Sequence, residues 1–402
     1  MLKTFAKSTL LGLSMLASLV PPLYAEDVLT IGVLTDLSGP LSETNGQGSV
    51  LGAQLAVEDF GGIANGRKIR VISADHQNKA DVASAIARKW FDVEGVDVIV
   101  DSPNSAIALA VNSIAKEKGK AFLATGPATS DLTGKQCSPT TVHWTYDSWM
   151  LARGTGNAML DLGNKDWFFL VADYAFGRVM EDELQKLIES KGGKVVGNVH
   201  HPINNADFSS FLLQAQASKG KVIGLLNAGA DTIAAIKQAS EYKISQSDQK
   251  LVSLVLTIVD VHALGLDTAQ GLIYSETFYW DLNDKTREWS KRYADRLNGK
   301  KPNMLQAGAY GAVLHYLKAV DAAKTVDGVT VVNKMKEMPT DDPLFGQGTI
   351  RADGRKLHPV YVLQVKTPAE SSGAWDYAKV IATVAPEDAF RPMSEGGCDL
   401  VN

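Results

Sequence analysis

Cysteine is nearly absent from this chain. Cys137 and Cys398 are the only two in 402 residues, too few for a cysteine-rich zinc module, an iron–sulfur cluster or a disulfide-dense scaffold. Histidine is also scarce, seven in all, and none falls in His-Glu-x-x-His spacing. His143, His200 and His201 have no partner at ligand spacing, so they read as loop histidines and no metal site is expected. No Gly-x-Ser-x-Gly elbow or Cys-x-x-Cys occurs, and no catalytic residue is assigned. Gly46-Gln-Gly48 with Gly52 imitates a dinucleotide fingerprint, but its spacing is wrong and a loop separates it from the preceding strand. Thr133-Gly-Lys135 lacks the hydroxyl residue and upstream glycine of a phosphate loop. No cofactor is expected. Positive charge is not in excess, with 40 basic against 45 acidic side chains and a net charge of −5, so nucleic acid is not an expected partner. Beyond residue 25 no run reaches eighteen apolar residues, and no membrane-spanning helix is expected there.

What is present begins with an apolar run, Thr9 to Val20, behind Lys3 and Lys7 and followed by Pro21-Pro22-Leu23-Tyr24-Ala25. A positive start, a short apolar core and a small residue at the cut describe a secretory leader, residues 1–25, and the run is too short to span a bilayer. The expected mature chain works outside the cytoplasm, away from ATP and NADH. In an oxidising compartment the even cysteine count is compatible with one disulfide, Cys137–Cys398, which would tie the C-terminal tail to the first lobe; two unpaired buried thiols are the alternative. Chain-entropy models assign such a long loop about 4–5 kcal/mol before native strain is subtracted.

The remaining chain is too long for one ordinary core and suits two lobes. Leu29–Leu34 reads as a strand, Gly52–Phe60 as a helix, Lys68–Ala74 as a strand, Asp81–Trp90 as a helix, Val96–Val100 as a strand, Ser105–Lys118 as a helix and Ala121–Ala124 as a strand. The grammar restarts with a helix from Ser148 to Leu162 and a strand at Trp167–Val171. Lys194-Val-Val, Asn205-Ala-Asp207 and Val222-Ile223 then repeat the order of Lys68-Ile-Arg-Val71, Asn78-Lys-Ala-Asp81 and Val98-Ile99. Asp231–Tyr242 and Leu251–Ile258 follow as helix and strand. The expectation is an α/β protein of two doubly wound parallel-sheet lobes. Helices at Lys285–Leu297, Leu305–Ala323 and Val331–Met338 return to lobe one, and a hairpin of Gly348-Thr-Ile350 with Val360–Val365 packs on lobe two. Lobe one is thus 26–145 plus 277–350, lobe two is 146–276 plus 351–386, and 387–402 is a tail returning to lobe one. Crossings near Thr145, Glu276 and Arg351 make a hinge of three strands.

Four segments carry a resemblance: Ile31-Gly-Val-Leu-Thr-Asp-Leu-Ser-Gly-Pro40, Gly52-Ala-x-Leu-Ala-Val-Glu-Asp59, Ala128-Thr-x-Asp-Leu-Thr133 and Asp173-Tyr-Ala-Phe-Gly177. In this order over about 150 residues the chain resembles the periplasmic substrate-binding proteins of ABC transporters, specifically the branched-chain amino acid (leucine/isoleucine/valine) type. The resemblance covers nearly the whole mature chain. It implies a type I periplasmic binding protein fold, a branched-chain amino acid or related small carboxylate held between closing lobes, an ABC permease in the inner membrane as partner, a periplasmic location, a monomer and no enzymatic activity. Gln136-Cys-Ser-Pro139, Val142-His-Trp-Thr-Tyr-Asp147 and the Gly-Gly-Cys398 tail resemble a subgroup whose ligands include small carboxylates and aromatic acids as well as amino acids. A soluble sensor docking on a membrane receptor and a secreted enzyme on a Rossmann-like scaffold are the rival functions.

Candidate binding residues lie where strands lead into helix N-termini. In lobe one these are Asn104 and Ser105, which read equally as a turn residue and an N-cap, and Ala128 and Thr129. In lobe two they are Tyr174 and Phe176, Asn227 and Gly229, and Asp260. Asp260 matches approximately the acidic position that, in the family, pairs the ammonium of amino-acid ligands; its alternative is an N-cap for His262–Leu264. Asn45 and Phe176 stand where leucine-type members commonly carry tyrosines, a departure from an amino-acid ligand. Aromatic residues cluster at the crossings: Trp144, Tyr146 and Trp149 at the first, Phe278, Tyr279 and Trp280 at the second. Of these Tyr146 and Tyr279 are the candidates for contact with a ligand ring, and inter-lobe packing is the alternative reading for at least half of the cluster.

Overall fold

The computed structural model of the chain describes residues 1–2, 28–244 and 247–401. The expected leader, with Thr9–Val20 and the cut after Ala25, lies outside the described residues.

The first unit runs β1 (Val28–Thr35), α1 (Gly46–Phe60), β2 (Ile63–Ala64), β3 (Arg67–Asp75), α2 (Ala80–Asp92), β4 (Val98–Asp101), α3 (Ser105–Lys118), β5 (Ala121–Ala124) and β6 (Thr141–His143). Its sheet has the order β2-β3-β1-β4-β5-β6, parallel throughout except for the β2–β3 pair. β4 and β5 are buried at every position and β1 at all but its first. A parallel sheet covered on both faces needs apolar side chains on both, which is why these strands read as continuous apolar runs rather than as alternation.

The second unit runs α4 (Ser148–Leu151), α5 (Asn157–Asp161), β7 (Asp166–Ala172), α6 (Ala175–Ser190), β8 (Lys194–His201), α7 (Ser209–Ser218), β9 (Val222–Leu226), α8 (Ala230–Glu241), β10 (Lys250–Ser253), α9 (Ile258–Leu264), α10 (Leu266–Ala269) and β11 (Ile273–Glu276). A π-helical turn, Ala152–Gly156, joins α4 to α5. The sheet order is β10-β9-β7-β8, all parallel. In both sheets the first strand has neighbours that leave it in opposite directions, so the order reverses between β1 and β4 and again between β7 and β9. A crevice opens at such a switch point, beyond the carboxyl ends of the strands.

Three helices follow: α11 (Asp284–Arg296), α12 (Met304–Ala323) and α13 (Gly328–Glu337). α12 lies against α1 so closely that a Cβ on Gly52 would stand 2.4 Å from the Gln306 carbonyl oxygen. This contact explains why α1 begins at Gly46 and not at Gly52. Three glycines in its first seven positions are poor helix formers, and packing on α12 overrides that preference. The expected strand Leu251–Ile258 is also shorter, because Thr257 and Asp260 form a capping box that starts α9 at Ile258.

β12 (Thr340–Asp342), β13 (Gly346–Ile350) and β14 (Lys356–Leu357) form a small antiparallel sheet, and β15 (Val360–Val365) with β16 (Ala378–Val384) extends from β11 in the order β11-β15-β16. The expected hairpin of Gly348–Ile350 with Val360–Val365 does not form. Ile350 pairs instead with Lys356, because the turn closes at once: Asp353 accepts the Arg355 N–H at 3.1 Å and Gly354 takes φ +88°.

One glycine shows how tightly the second unit is built. A Cβ on Gly177, in the first turn of α6, would lie 2.0 Å from the Ala172 carbonyl oxygen at the end of β7. Gly177→Ala is therefore expected to cost about 1–3 kcal/mol through overpacking, read as a lowered denaturant midpoint; an unchanged midpoint would mean that α6 can slide away from β7.

Candidate functional site

The loops at the two switch points face each other across a pocket of about 390 Å3, counting the part open to solvent. Lobe one supplies Leu41, Thr44 and Asn45 from the loop after β1, Pro103 and Ser105 from the β4–α3 junction, Gly126 and Ala128 from the loop after β5, Tyr146 from the first crossing and Leu305 from the first turn of α12. Lobe two supplies Tyr174 and Phe176 at the start of α6, Ala228 and Gly229 before α8, and Val255 and Thr257 before α9. The lobes touch: Ala230 N donates to the Pro40 carbonyl at 3.2 Å. Gly229 permits this approach, with φ +59° and a Cβ position 2.5 Å from Pro40 O.

On the lobe-one wall a buried acid organises the polar groups. Asp101 Oδ1 accepts from Asn45 Nδ2 at 2.9 Å and from Thr125 Oγ1 at 3.2 Å. Its carboxyl is pushed up to about 6 by burial, which the hydrogen bonds only partly offset. Asp101 and Ser102 have φ of +85° and +62°, two successive left-handed non-glycine residues where the chain turns from β4 toward α3, a strain of the kind concentrated at functional sites. Asn104 caps α3, its Oδ1 accepting from Ala106 N at 2.9 Å and Ile107 N at 3.3 Å. Ser105 is then the first helical residue, and among the described residues its hydroxyl has no hydrogen-bond partner. The Ala128 N–H, also on the pocket wall, has no acceptor there either. A free hydroxyl, a free N–H and the positive end of a fourteen-residue helix make a place for a carboxylate.

The lobe-two wall differs. Thr257 donates to Asp260 Oδ2 twice, from its N–H and from its hydroxyl, each at 2.8 Å. Tyr174 and Phe176 present their rings with centroids 5.8 Å apart. Among the described residues none that lines the pocket carries a charged side chain. Two acids lie behind it, Asp260 and Glu276. Burial raises Asp260 to about 7, and it raises Glu276 well above the ordinary carboxyl value, with Asp260 adding to the effect.

Of the residues expected from sequence, Asn45, Ser105, Ala128, Tyr146, Tyr174, Phe176 and Gly229 are brought together on this pocket. Asn104 stands one layer behind as the N-cap of α3 rather than as a turn residue, and Asp260 as the third residue of α9, closing the capping box on Thr257, rather than as an N-cap for His262–Leu264. Thr129 caps the short turn Ser130–Thr133. Asn227 is held by His201 Nε2 at 3.2 Å and by Thr232 Oγ1 at 2.8 Å. Tyr279 is buried in the apolar core of lobe two, its hydroxyl donating to the Ala378 carbonyl at 3.3 Å. Of the remaining crossing aromatics, Trp144 sits against His315, Phe278 against Trp289, and Trp280 under Lys301, while Trp149 lies under Arg153 on the groove beside α6. Sequence reasoning missed Leu41, Thr44, Pro103, Val255, Thr257 and Leu305, and it reached Gly126 and Ala228 only as members of the candidate loops 126–129 and 227–229. Most belong to loops beside the expected residues, while Leu305 comes from a distant helix and has no local signal.

Among the described residues one group has metal-like proximity, Asp36, Asp75 and His76, and its bonding does not fit an ion. Both Asp36 oxygens accept backbone N–H groups, from Gly39 at 2.7 Å and Leu41 at 3.0 Å. Asp75 accepts from Leu37, Gln77 and Ser38. His76 Nδ1 accepts from Asn78 N at 3.0 Å, which places the ring proton on Nε2 and leaves no lone pair for a metal. These residues brace the loop that carries Pro40 to Asn45. Cys137 and Cys398 are joined in a disulfide.

A family model described as periplasmic binding protein matches residues 28–374. A solved periplasmic binding protein from Burkholderia mallei is 46% identical with a TM-score of 0.91, over 94% of this chain and 100% of that one. A solved branched chain amino acid ABC transporter periplasmic ligand-binding protein from Burkholderia xenovorans is 39% identical with a TM-score of 0.83, over 93% and 100%. The Leu/Ile/Val-binding protein homolog 6 of Brucella melitensis is 24% identical over 393 residues, 95% of this chain and 97% of its own.

Proposed function

Because the chain belongs to the periplasmic binding protein family, with the type I fold of the branched-chain amino acid ABC transporter type, we propose that it binds a small carboxylate without an amine, of aromatic or branched aliphatic body, and hands it to an ABC permease. The family's members are periplasmic, bind solutes rather than transform them, and work with such permeases. The expected leader assigns the same route to this chain. The carrying observation is the absence, among the described residues, of any charged side chain on the pocket wall. An ammonium enclosed there would lose several kcal/mol of hydration with no counter-charge on the wall; the lobe-two acids Asp260 and Glu276 are buried behind it and held toward their neutral forms. A carboxylate fares differently. Ser105, the Ala128 N–H and the α3 dipole receive it from lobe one, while Tyr146, Tyr174, Phe176 and Val255 cover the apolar body, which gains roughly 3–4 kcal/mol if ~150 Å2 of it is buried.

We assign the hinge to the three passages between the sheets, 144–147, 277–280 and 358–359, the last in place of the crossing expected near Arg351, because Arg355 bridges to His143 and β14 pairs with β13, which keeps 351–357 with lobe one. Such a ligand touches both lobes, so its affinity for the closed form exceeds that for the open one, and this difference is what a permease can read. Titration calorimetry with benzoate, 3-methylbutanoate and leucine tests the reading. The two acids are expected to bind, with leucine at least about tenfold weaker than 3-methylbutanoate, whose apolar body is similar. Leucine binding more tightly than both acids would replace this reading with the amino-acid one.

A further inference from the structure

Away from the pocket, the two lobes meet at a buried carboxyl. Glu183 lies on α6 of lobe two, and its Oε1 accepts from the hydroxyl of Ser130, in lobe one, at 2.5 Å. Arg391, in the C-terminal tail, stands 3.9 Å from the same oxygen. The tail belongs to the lobe-one side of this contact: Cys398 is bonded to Cys137, and the Arg391 carbonyl accepts from Arg351 Nη1 at 2.6 Å. Ser130 and Arg391 therefore reach Glu183 from the opposite jaw, and a rotation of the lobes removes the two together, while Ser148 of α4 stays on the side of Glu183.

The bonding at this contact favours a neutral acid over a carboxylate. Arg391 spends its best hydrogen bond on the Ser130 carbonyl, at 2.8 Å from Nη2, and its approach to Glu183 is too long for a direct hydrogen bond. Glu183 Oε2 is buried without a hydrogen bond of sound geometry, although the Ser148 hydroxyl is near the carboxyl. Other charges face the same groove. Lobe one and its tail bring Asp131, Lys135 and Glu395; lobe two brings Arg153 from the π-helical turn and Arg178, Asp182 and Lys186 from α6 itself. Asp147, at the first crossing, pushes further toward protonation. The first eleven residues of α3, Ser105–Ala115, which also packs on α6, carry no charge.

We infer that Glu183 is a proton-linked latch, closing of the cleft burying its carboxyl against Ser130 and Arg391 with uptake of a proton. Burial raises the carboxyl from an ordinary value of 4.5 to about 7 in this closed arrangement. With the lobes apart, solvent returns it toward the ordinary value. The closed form then binds more protons than the open form between those limits, so closure strengthens as pH falls through 7 and weakens above it. The inference rests on the two-lobe reading and not on which solute binds.

Small-angle scattering of the ligand-free chain between pH 8 and 5.5 is the test. The wild type is expected to become more compact on acidification, its closed-to-open ratio rising about thirtyfold. Glu183→Gln, an uncharged isostere, is expected to stay at the acid-side radius throughout. It isolates the latch from Asp101, Asp260 and Glu276, which are also raised by burial. Arg391→Gln removes a nearby cation and should move the wild-type midpoint to higher pH, a shift that a merely structural contact would not produce. A radius constant with pH in the wild type, or a Glu183→Gln variant that follows the wild-type change, overturns the latch; if added benzoate compacts the chain in either case, the solute-binding reading stands without it.

Discussion

Ser105→Asp is expected to weaken the binding of benzoate and 3-methylbutanoate by at least a factor of about one hundred while leaving the melting temperature unchanged or slightly raised. The two effects have opposite signs for one reason. Ser105 opens α3, and a carboxylate in a first helical turn gains about 0.3–1 kcal/mol from the helix dipole. The same carboxylate occupies the place proposed for the ligand's own. Two like charges about 4 Å apart repel by about 4 kcal/mol at an effective dielectric constant of 20, a factor of several hundred in affinity. Ser105→Ala gives the scale of the attractive part, since losing one hydrogen bond to a charged group costs about 1.5–3 kcal/mol. Calorimetry of both variants, with thermal melts as the folding control, reads the result. Undiminished acid binding by a folded Asp variant would place the carboxylate elsewhere.

How far sequence could see this site depends on what kind of information each residue carries. The alternation of strand and helix is written locally, in apolar runs such as Ile31–Leu34 and Val98–Val100 and in caps such as Asn104, and the switch-point rule then points to the loops at the strand ends. That is enough to bring Ser105, Ala128, Tyr174 and Gly229 to one place. It does not say which side of a cap faces the cleft. Asn104 and Asp260 have the chemistry of ligand groups, but Asn104 accepts from N–H groups two and three residues on and Asp260 from the Thr257 N–H three residues back, and both geometries turn the side chain along its own helix. Crossing aromatics carry even less directional information: Tyr146 reaches the pocket and Tyr279 bonds to Ala378, and both are apolar-rich positions next to a crossing. β16 gave no signal because its middle residues are exposed, so its pattern is neither a buried run nor a clean alternation. The early start of α1 was hidden because it depends on α12, more than two hundred residues away.

The disulfide is the remaining place where a large effect is expected. Cys137 and Cys398 are 261 residues apart, so the bond excludes a great many conformations from the unfolded chain, and the double variant Cys137→Ala/Cys398→Ala is expected to lose about 4–5 kcal/mol of unfolding free energy. That figure holds only while the tail stays docked without its covalent tie. The non-covalent contacts available are the bonds of Arg391 to Ser130 and Arg351 and the packing of Phe390 beneath the buried Arg355 guanidinium, 4.6 Å from its ring. If these hold, denaturant curves show the full loss and the pH dependence of compaction matches that of the wild type. If they give way, the native state recovers part of the entropy, the measured loss falls below about 4 kcal/mol, and Glu183 loses Arg391 at the same time. The pH midpoint then moves upward as in Arg391→Gln. A smaller stability loss must therefore come with the shifted midpoint, and a small loss with an unshifted one would contradict both the role of the tail and its place in the latch.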